Sequence, residues 1–126
     1  MALAMRIIVL SLLVACGPDS VFGPPTESVC PPQGSTLTYE NFGKAFMVQY
    51  CTRCHSSELM GAARMGAPSL HDFDTRYGVI GVHEHVDETT AAGPASVNKG
   101  MPPDPGPYPT LDERYQLGEW IACGMP

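Results

Sequence analysis

Cys51-Thr52-Arg53-Cys54-His55 is the most informative stretch of this sequence. Its two cysteines are three positions apart, so on one helical turn both sulfur atoms face the same side. Each thiol can then form a thioether with one of the two vinyl groups of a porphyrin, and the next residue lies beneath the iron. The pattern predicts one covalently bound haem c, attached through Cys51 and Cys54 and ligated by His55.

Two other uses of this cysteine pair are a zinc half-site and a thioredoxin-like redox pair. Zinc needs a second pair of ligands, and the other cysteines and histidines show no matching spacing. A redox pair normally follows a β-strand, whereas a helical pattern precedes this one. The spacing therefore favours haem.

An electron-transfer haem needs a second axial ligand, for which the sequence offers several methionines. Met101 is the best candidate, because it lies far enough along the chain from His55 to reach the opposite face of a porphyrin. The two prolines that follow it fix the backbone of its loop. The others are expected to be loop, core or peripheral residues: Met60, Met65 and Met125.

Three histidines are rivals for this position: His71, His83 and His85. His83 and His85 are two positions apart, so on a helix they point in nearly opposite directions, and we expect both to be exposed. His71 is expected near the haem edge. The choice matters because a histidine ligand lowers the reduction potential and a methionine raises it.

Helical patterns surround the motif, and strand patterns are nearly absent. Aromatic residues every four positions predict a helix over residues 39–53, with Thr38 as its N-cap. A second helix is expected over 110–123, where Thr110-Leu-Asp-Glu matches a capping box. A weaker pattern covers 72–90. Residues 37–126 are therefore predicted to form one all-α domain.

Residues 37–126 resemble a mono-haem class I cytochrome c, a small all-α fold whose N- and C-terminal helices cross around one covalently bound haem. The resemblance rests on the CxxCH motif, on Met-Pro-Pro at 101–103 and on the order of the helices. It implies that Gly43 lies at the helix crossing and that the Pro68 carbonyl accepts a hydrogen bond from the axial histidine. The partners implied for Gly43 are Leu117, Trp120 and Ile121.

Residues 1–15 have one basic residue and then a short apolar run, which predicts an export signal rather than a membrane span. The run ends in Leu-Val-Ala-Cys, which resembles the lipobox of bacterial lipoproteins and makes Cys16 a candidate lipidation site. The alternative is an ordinary signal peptide that leaves Cys16 as a thiol. Residues 16–36 are rich in proline, glycine and serine, and predict a lipid anchor on a flexible tether.

Two of the five cysteines remain after lipid and haem have been assigned, namely Cys30 and Cys123. An exported compartment is oxidising, and the helix crossing implied by the resemblance would bring these positions together. We therefore expect a disulfide, with two buried thiols as the alternative.

The charge balance is acidic, with 7 basic and 13 acidic side chains and a net charge of −6. This argues against nucleic acid as a partner and favours redox proteins with a basic docking patch. The signal predicts a periplasmic or cell-envelope location with a lipid anchor in a membrane. Gly17 after the lipid cysteine slightly favours the outer membrane.

The expected function is single-electron transfer, with no small-molecule substrate and no catalysis at the iron. The chain can act alone or as a subunit of a larger oxidoreductase. The alternative is a haem enzyme or gas sensor with an open or displaceable sixth ligand.

Overall fold

The computed structural model describes residues 20–126; the predicted signal peptide and Cys16 lie outside the described residues. It contains four α-helices, a π-helical segment at Tyr39–Gly43 and a 3₁₀ turn at Gly61–Arg64. The α-helices are α1 (Lys44–Tyr50), α2 (Arg76–Gly81), α3 (His83–Thr90) and α4 (Leu111–Ala122). The only β-pairing in this range is an isolated bridge, so the all-α prediction is confirmed. Within residues 20–126, no helix has the length and apolar character needed to cross a membrane.

The first helix begins as predicted and ends early. The Thr38 hydroxyl accepts a hydrogen bond from the Asn41 amide at 3.2 Å, and the Asn41 side chain accepts one from the Thr38 amide at 2.7 Å. The segment continues into α1 but stops at Tyr50, three residues before the predicted end. The CxxCH motif instead forms a tight turn, in which the Cys51 carbonyl accepts from the amides of Cys54 and His55.

The predicted helix over residues 72–90 is two helices. Val82 separates α2 from α3 with φ −135° and ψ 29°, which lies outside helical geometry. A Cβ atom at Gly78 would collide with the Asp72 carbonyl, so the start of α2 requires a glycine there. α4 agrees closely with its prediction, and Thr110 and Glu113 form the expected capping box.

The core lies between the four α-helices and the loops that join them. Its members are Phe46, Met47, Tyr50, Phe73, Val79, Val86, Ala91, Leu117, Trp120 and Met125. The indole of Trp120 covers Gly43, as the resemblance implied. Met125 was expected to be peripheral, but it is 3% exposed. Gly124, with φ +81°, turns the chain at this point, and Met125 then lies in the core.

Residues 21–35, the N-terminal strap, are not a free tether. The carboxylate of Asp87 on α3 accepts from both the amide and the hydroxyl of Thr26, at 2.8 and 2.6 Å. The Gly23 amide donates to the Glu88 carbonyl at 2.7 Å. Thr26 is 1% exposed. The composition gave no indication of the polar groups of α3 that bind this segment.

Candidate functional site

A cavity of about 360 Å³ lies beside the CxxCH turn. This size is within the usual range for small-molecule and cofactor sites. The five residues that the sequence proposed for cofactor binding all line it: Cys51, Cys54, His55, Pro68 and Met101. Much of the remaining wall is apolar, with contributions from Tyr50, Phe73 and Val86. The fold thus collects in one place residues that are far apart in the sequence.

The two thiols of the motif, Cys51 and Cys54, are both free. Desolvation raises the pKa of Cys51 to about 12, against the lowering effect of the Arg53 charge, while Cys54 raises it further. The Cys51 thiol is therefore protonated at neutral pH, which is unlike the activated thiolate of a redox-active pair. The Cys54 sulfur lies 3.6 Å from the sulfur of Met65.

The imidazole of His55 is held in one orientation and one tautomer. Its ring stacks on Phe73, with centroids 4.6 Å apart and planes 12° from parallel. Nδ1 lies 3.0 Å from the carbonyl oxygen of His71, and because a carbonyl only accepts, Nδ1 carries the proton. Burial lowers the pKa of His55, although the hydrogen bond to His71 opposes this. A neutral ring with an unprotonated Nε2 is the form that ligates a metal.

The expected role of Pro68 is wrong in this structure. Its carbonyl accepts from Nη2 of Arg64 at 2.7 Å, whereas the His71 carbonyl accepts the proton of His55. The physical reason is that the buried Arg64 needs acceptors for its own donors, and the loop folds around it. Pro68 contributes to the cavity wall and not to the orientation of the histidine.

The backbone of Met101 is fixed at two points. Its amide donates to the Thr89 carbonyl at 2.9 Å. Its carbonyl accepts from Arg114 at 3.2 Å, and the same Arg114 nitrogen donates to the carbonyls of Thr90 and Asn98 at 2.7 and 2.8 Å. Arg114 is 4% exposed. The position of Met101 on the cavity wall therefore follows from the end of α3 and from a residue of α4.

Arg53 links the CxxCH motif to the loop after Met101. It donates through Nη2 to the Pro103 carbonyl at 2.9 Å and through Nη1 to the Gly106 carbonyl. In the part of the chain that the structure describes, its buried Nε has no partner. Arg53, the second of the two residues between the cysteines, thus makes structural hydrogen bonds that the CxxCH spacing alone does not predict.

The other methionines and histidines fall into two groups. Met65, His71 and His85 line the cavity, and nitrogens of the two histidines lie 3.0 Å apart. Met60, which is 82% exposed, and His83 do not line it. His85 is exposed as expected, while His83 is half-buried with Nδ1 near the Ile80 carbonyl. Over residues 20–126, no three His, Cys, Asp or Glu side chains are grouped to hold a metal ion.

Cys30 and Cys123 form a disulfide whose Cα atoms are 4.8 Å apart. The bond joins the N-terminal strap to the end of α4, and neither cysteine lines the cavity. It therefore constrains the fold and leaves the Cys51 and Cys54 thiols free.

The sequence did not predict the roles of three arginines and one carbonyl, which are Arg53, Arg64, Arg114 and the carbonyl of His71. Each arginine donates mainly to backbone carbonyls, and a backbone acceptor has no signature in the sequence. The sequence offered only a weak indication that these arginines are structural. The chain has only 7 basic residues, and the neighbours of Arg64 are glycine, alanine and methionine.

Comparisons of this chain with protein-family models, with curated proteins and with solved structures find no match. No relative therefore supplies an activity or a cofactor for it. The chemistry of the cavity and the CxxCH motif are what bear on its function.

Proposed function

We propose that this chain is an exported mono-haem c-type cytochrome, with the class I cytochrome c fold, which carries single electrons between redox partners. In this proposal Cys51 and Cys54 would attach the haem, and His55 and Met101 would ligate its iron. One observation supports this proposal most strongly. His55, directly after the cysteine pair, is held as the Nδ1–H tautomer beside a cavity that Met101 also lines.

The residues present fit a haem group. Two free thiols stand next to an imidazole whose Nε2 is available, and a thioether from a distant loop lines the same cavity. Histidine and methionine are the axial ligands that give a haem a high reduction potential. When bound, haem supplies a one-electron couple between Fe(III) and Fe(II). The donor set therefore favours electron transfer over hydrolytic or metal-ion chemistry.

The chain's own residues have three tasks in this function. The His71 carbonyl and the Phe73 ring keep the imidazole in its orientation. Arg114 holds the Met101 backbone. Apolar residues such as Tyr50 and Val86 exclude water from the cavity, and burial is one of the factors that set a haem potential. No group in this proposal takes up or releases a substrate.

The fold supports the same proposal. The segment that leads into the CxxCH turn meets the last helix where Trp120 covers Gly43. A second link joins these helices, because the Tyr50 hydroxyl donates to the Glu113 carboxylate at 3.0 Å. Close contact between the first and last helices is what the class I cytochrome c fold requires.

The location and partners are part of the proposal. Cys16 carries a lipid that holds the protein at a membrane of the cell envelope, with the periplasm around it and the outer membrane slightly favoured. The N-terminal strap is bound to the domain, so the free length after the anchor is shorter than residues 16–36 would allow. The acidic charge favours partners with a basic patch, and the cytochrome serves them alone or as a subunit of a larger oxidoreductase.

Covalent haem attachment is the first test. The full chain is produced in a bacterium that matures c-type cytochromes, and haem is detected after denaturation. We expect stable haem in the wild type and its loss in a Cys51→Ala and Cys54→Ala double variant. The matched control is Cys30→Ser with Cys123→Ser, which removes two cysteines outside the cavity and should keep the haem. Absence of covalent haem from the mature wild type would overturn the proposal.

The sixth ligand is the second test, made by visible and near-infrared spectroscopy of both oxidation states. We expect a low-spin wild type with an iron–sulfur charge-transfer band that Met101→Ala abolishes. Met60→Ala, an exposed methionine outside the cavity, is the control and should keep the band. A wild type that is already high-spin and binds carbon monoxide would replace the electron carrier with the haem enzyme or gas sensor.

A further inference from the structure

Arg64 is the centre of the loop that follows the haem motif. It is 9% exposed. Its guanidinium donates to the carbonyls of Ser56 and Pro68 at 2.7 Å and to that of Ala67 at 3.2 Å. An arginine with this many backbone acceptors determines the course of the loop, because each acceptor left alone would cost free energy. The same loop forms part of the cavity wall.

One acceptor of Arg64 is also the acceptor of His55. The His71 carbonyl oxygen lies 3.0 Å from Nδ1 of His55 and 3.3 Å from Nη2 of Arg64. A carbonyl oxygen has two lone pairs and can accept both donors. The guanidinium is permanently charged, so it draws electron density from this oxygen. The oxygen is then a weaker acceptor for the imidazole proton than an unshared carbonyl would be.

The strength of this hydrogen bond determines how strongly the imidazole donates to a metal. A strong acceptor on Nδ1–H makes the ring more basic, and outer partners of this kind tune the metal. A more basic ligand stabilises Fe(III) over Fe(II) and lowers the reduction potential. A carbonyl that is shared with a cation is a weaker acceptor, so it makes the ring less basic and raises the reduction potential.

We propose that Arg64 is a positioning residue that raises the reduction potential by sharing the His71 carbonyl with His55. The inference rests on the proposed function, since it concerns the ligand that His55 would provide. The Asp72 carboxylate lies 2.7 Å from Nη1 of Arg64 and offsets its charge. Arg64 therefore affects the reduction potential mainly through the His71 carbonyl. The net charge of the Arg64–Asp72 pair contributes less.

The test compares the holoprotein with Arg64→Met and with a matched control, Arg76→Met. The control removes the same charge from an arginine that donates to the Met125 carbonyl and does not line the cavity. We expect a lower midpoint potential in Arg64→Met than in Arg76→Met, with the methionine band retained in both. Equal shifts in the two variants would show that only total charge matters and would overturn the inference.

A second readout follows the hydrogen bond itself. In the reduced holoprotein, we expect the Nδ1 proton resonance of His55 to move downfield in Arg64→Met, because the His71 carbonyl is no longer shared. Asp72→Asn keeps Arg64 and removes its counter-charge, so the resonance should move upfield. This variant keeps the test decisive if Arg64→Met fails to fold, and a resonance that does not move in it overturns the inference. Failure of the wild type to bind haem would instead overturn the proposed function.

Discussion

The indole of Trp120 lies directly over Gly43, so that a Cβ atom on Gly43 would come within 2.5 Å of Cζ2. Trp120 is fully buried, and the contact joins the segment before α1 to α4. These elements stand at opposite ends of the domain sequence. Their approach is therefore possible only while position 43 has no side chain.

Replacement of Gly43 by alanine tests this contact. The added methyl group would overlap the fully buried Trp120 ring, so we expect Gly43→Ala to lower the free energy of unfolding by about 1–3 kcal/mol. The measurement is denaturant unfolding of the holoprotein. Gly81→Ala is the matched control, because a Cβ there meets nothing within 4 Å. It should be neutral or stabilising, and equal losses in both variants would contradict the prediction.

Removal of the disulfide should cost much more. Cys30 and Cys123 are 93 residues apart, and closing a loop of this length stabilises a domain by about 4 to 5 kcal/mol in the chain-entropy model. We expect this loss in the Cys30→Ser and Cys123→Ser double variant, measured by chemical denaturation. Reductant should destabilise the wild type and leave the double variant unchanged. A wild type that is equally stable with and without reductant would count against the bond.

The hydrogen bonds to the Glu113 carboxylate predict that the folded protein loses stability in acid. Desolvation alone would raise its pKa, but hydrogen bonds from the Thr110 amide and hydroxyl and from Tyr50 outweigh it and hold the pKa below its ordinary value. A carboxylate with a depressed folded-state pKa stabilises the protein fully above its unfolded pKa, and the effect is lost as pH falls through the folded value. Unfolding free energy should therefore decline on acidification, with a smaller decline in Glu113→Gln.

The control for this pH dependence is Glu58→Gln, an exposed carboxylate whose side chain accepts no hydrogen bond in the described part of the chain. It should show the same acid decline as the wild type. Identical curves for Glu113→Gln and the wild type would show that the contacts of this carboxylate do not contribute.

The N-terminal strap should loosen when the carboxylate of Asp87 is removed. Asp87→Ala leaves the buried amide and hydroxyl of Thr26 without the carboxylate, at a cost of about 1–3 kcal/mol. We expect faster hydrogen exchange and easier proteolysis of residues 20–30. Glu88→Ala is the control, because its described contact with the strap uses the backbone carbonyl, which the variant retains. Unchanged protection in Asp87→Ala would mean that the carboxylate is not needed, and that the disulfide and the remaining hydrogen bonds, such as that from the Asn98 side-chain amide to the Pro24 carbonyl, hold the strap.

Features that depend on residues close in sequence were predictable. In the Thr38 and Thr110 caps, a hydroxyl accepts from an amide three residues later, so a segment of four residues specifies each cap. The CxxCH motif is local in the same sense, and its cysteines and histidine do lie beside one cavity. The all-α class followed because helical periodicity also acts over a few residues.

Features that depend on burial or on backbone acceptors required the folded chain. The acceptor for His55 is the carbonyl of His71 and not of Pro68, because the folded loop brings the His71 oxygen to the imidazole. The strap was predicted to be free, since proline-rich composition indicates an extended backbone but not the carboxylate that binds it. The sequence alone thus determined the local motif and the two helix caps. The tertiary structure decided which carbonyls, charges and segments surround that motif. Every residue carries the same backbone carbonyl acceptor, and only packing selects which carbonyl is used.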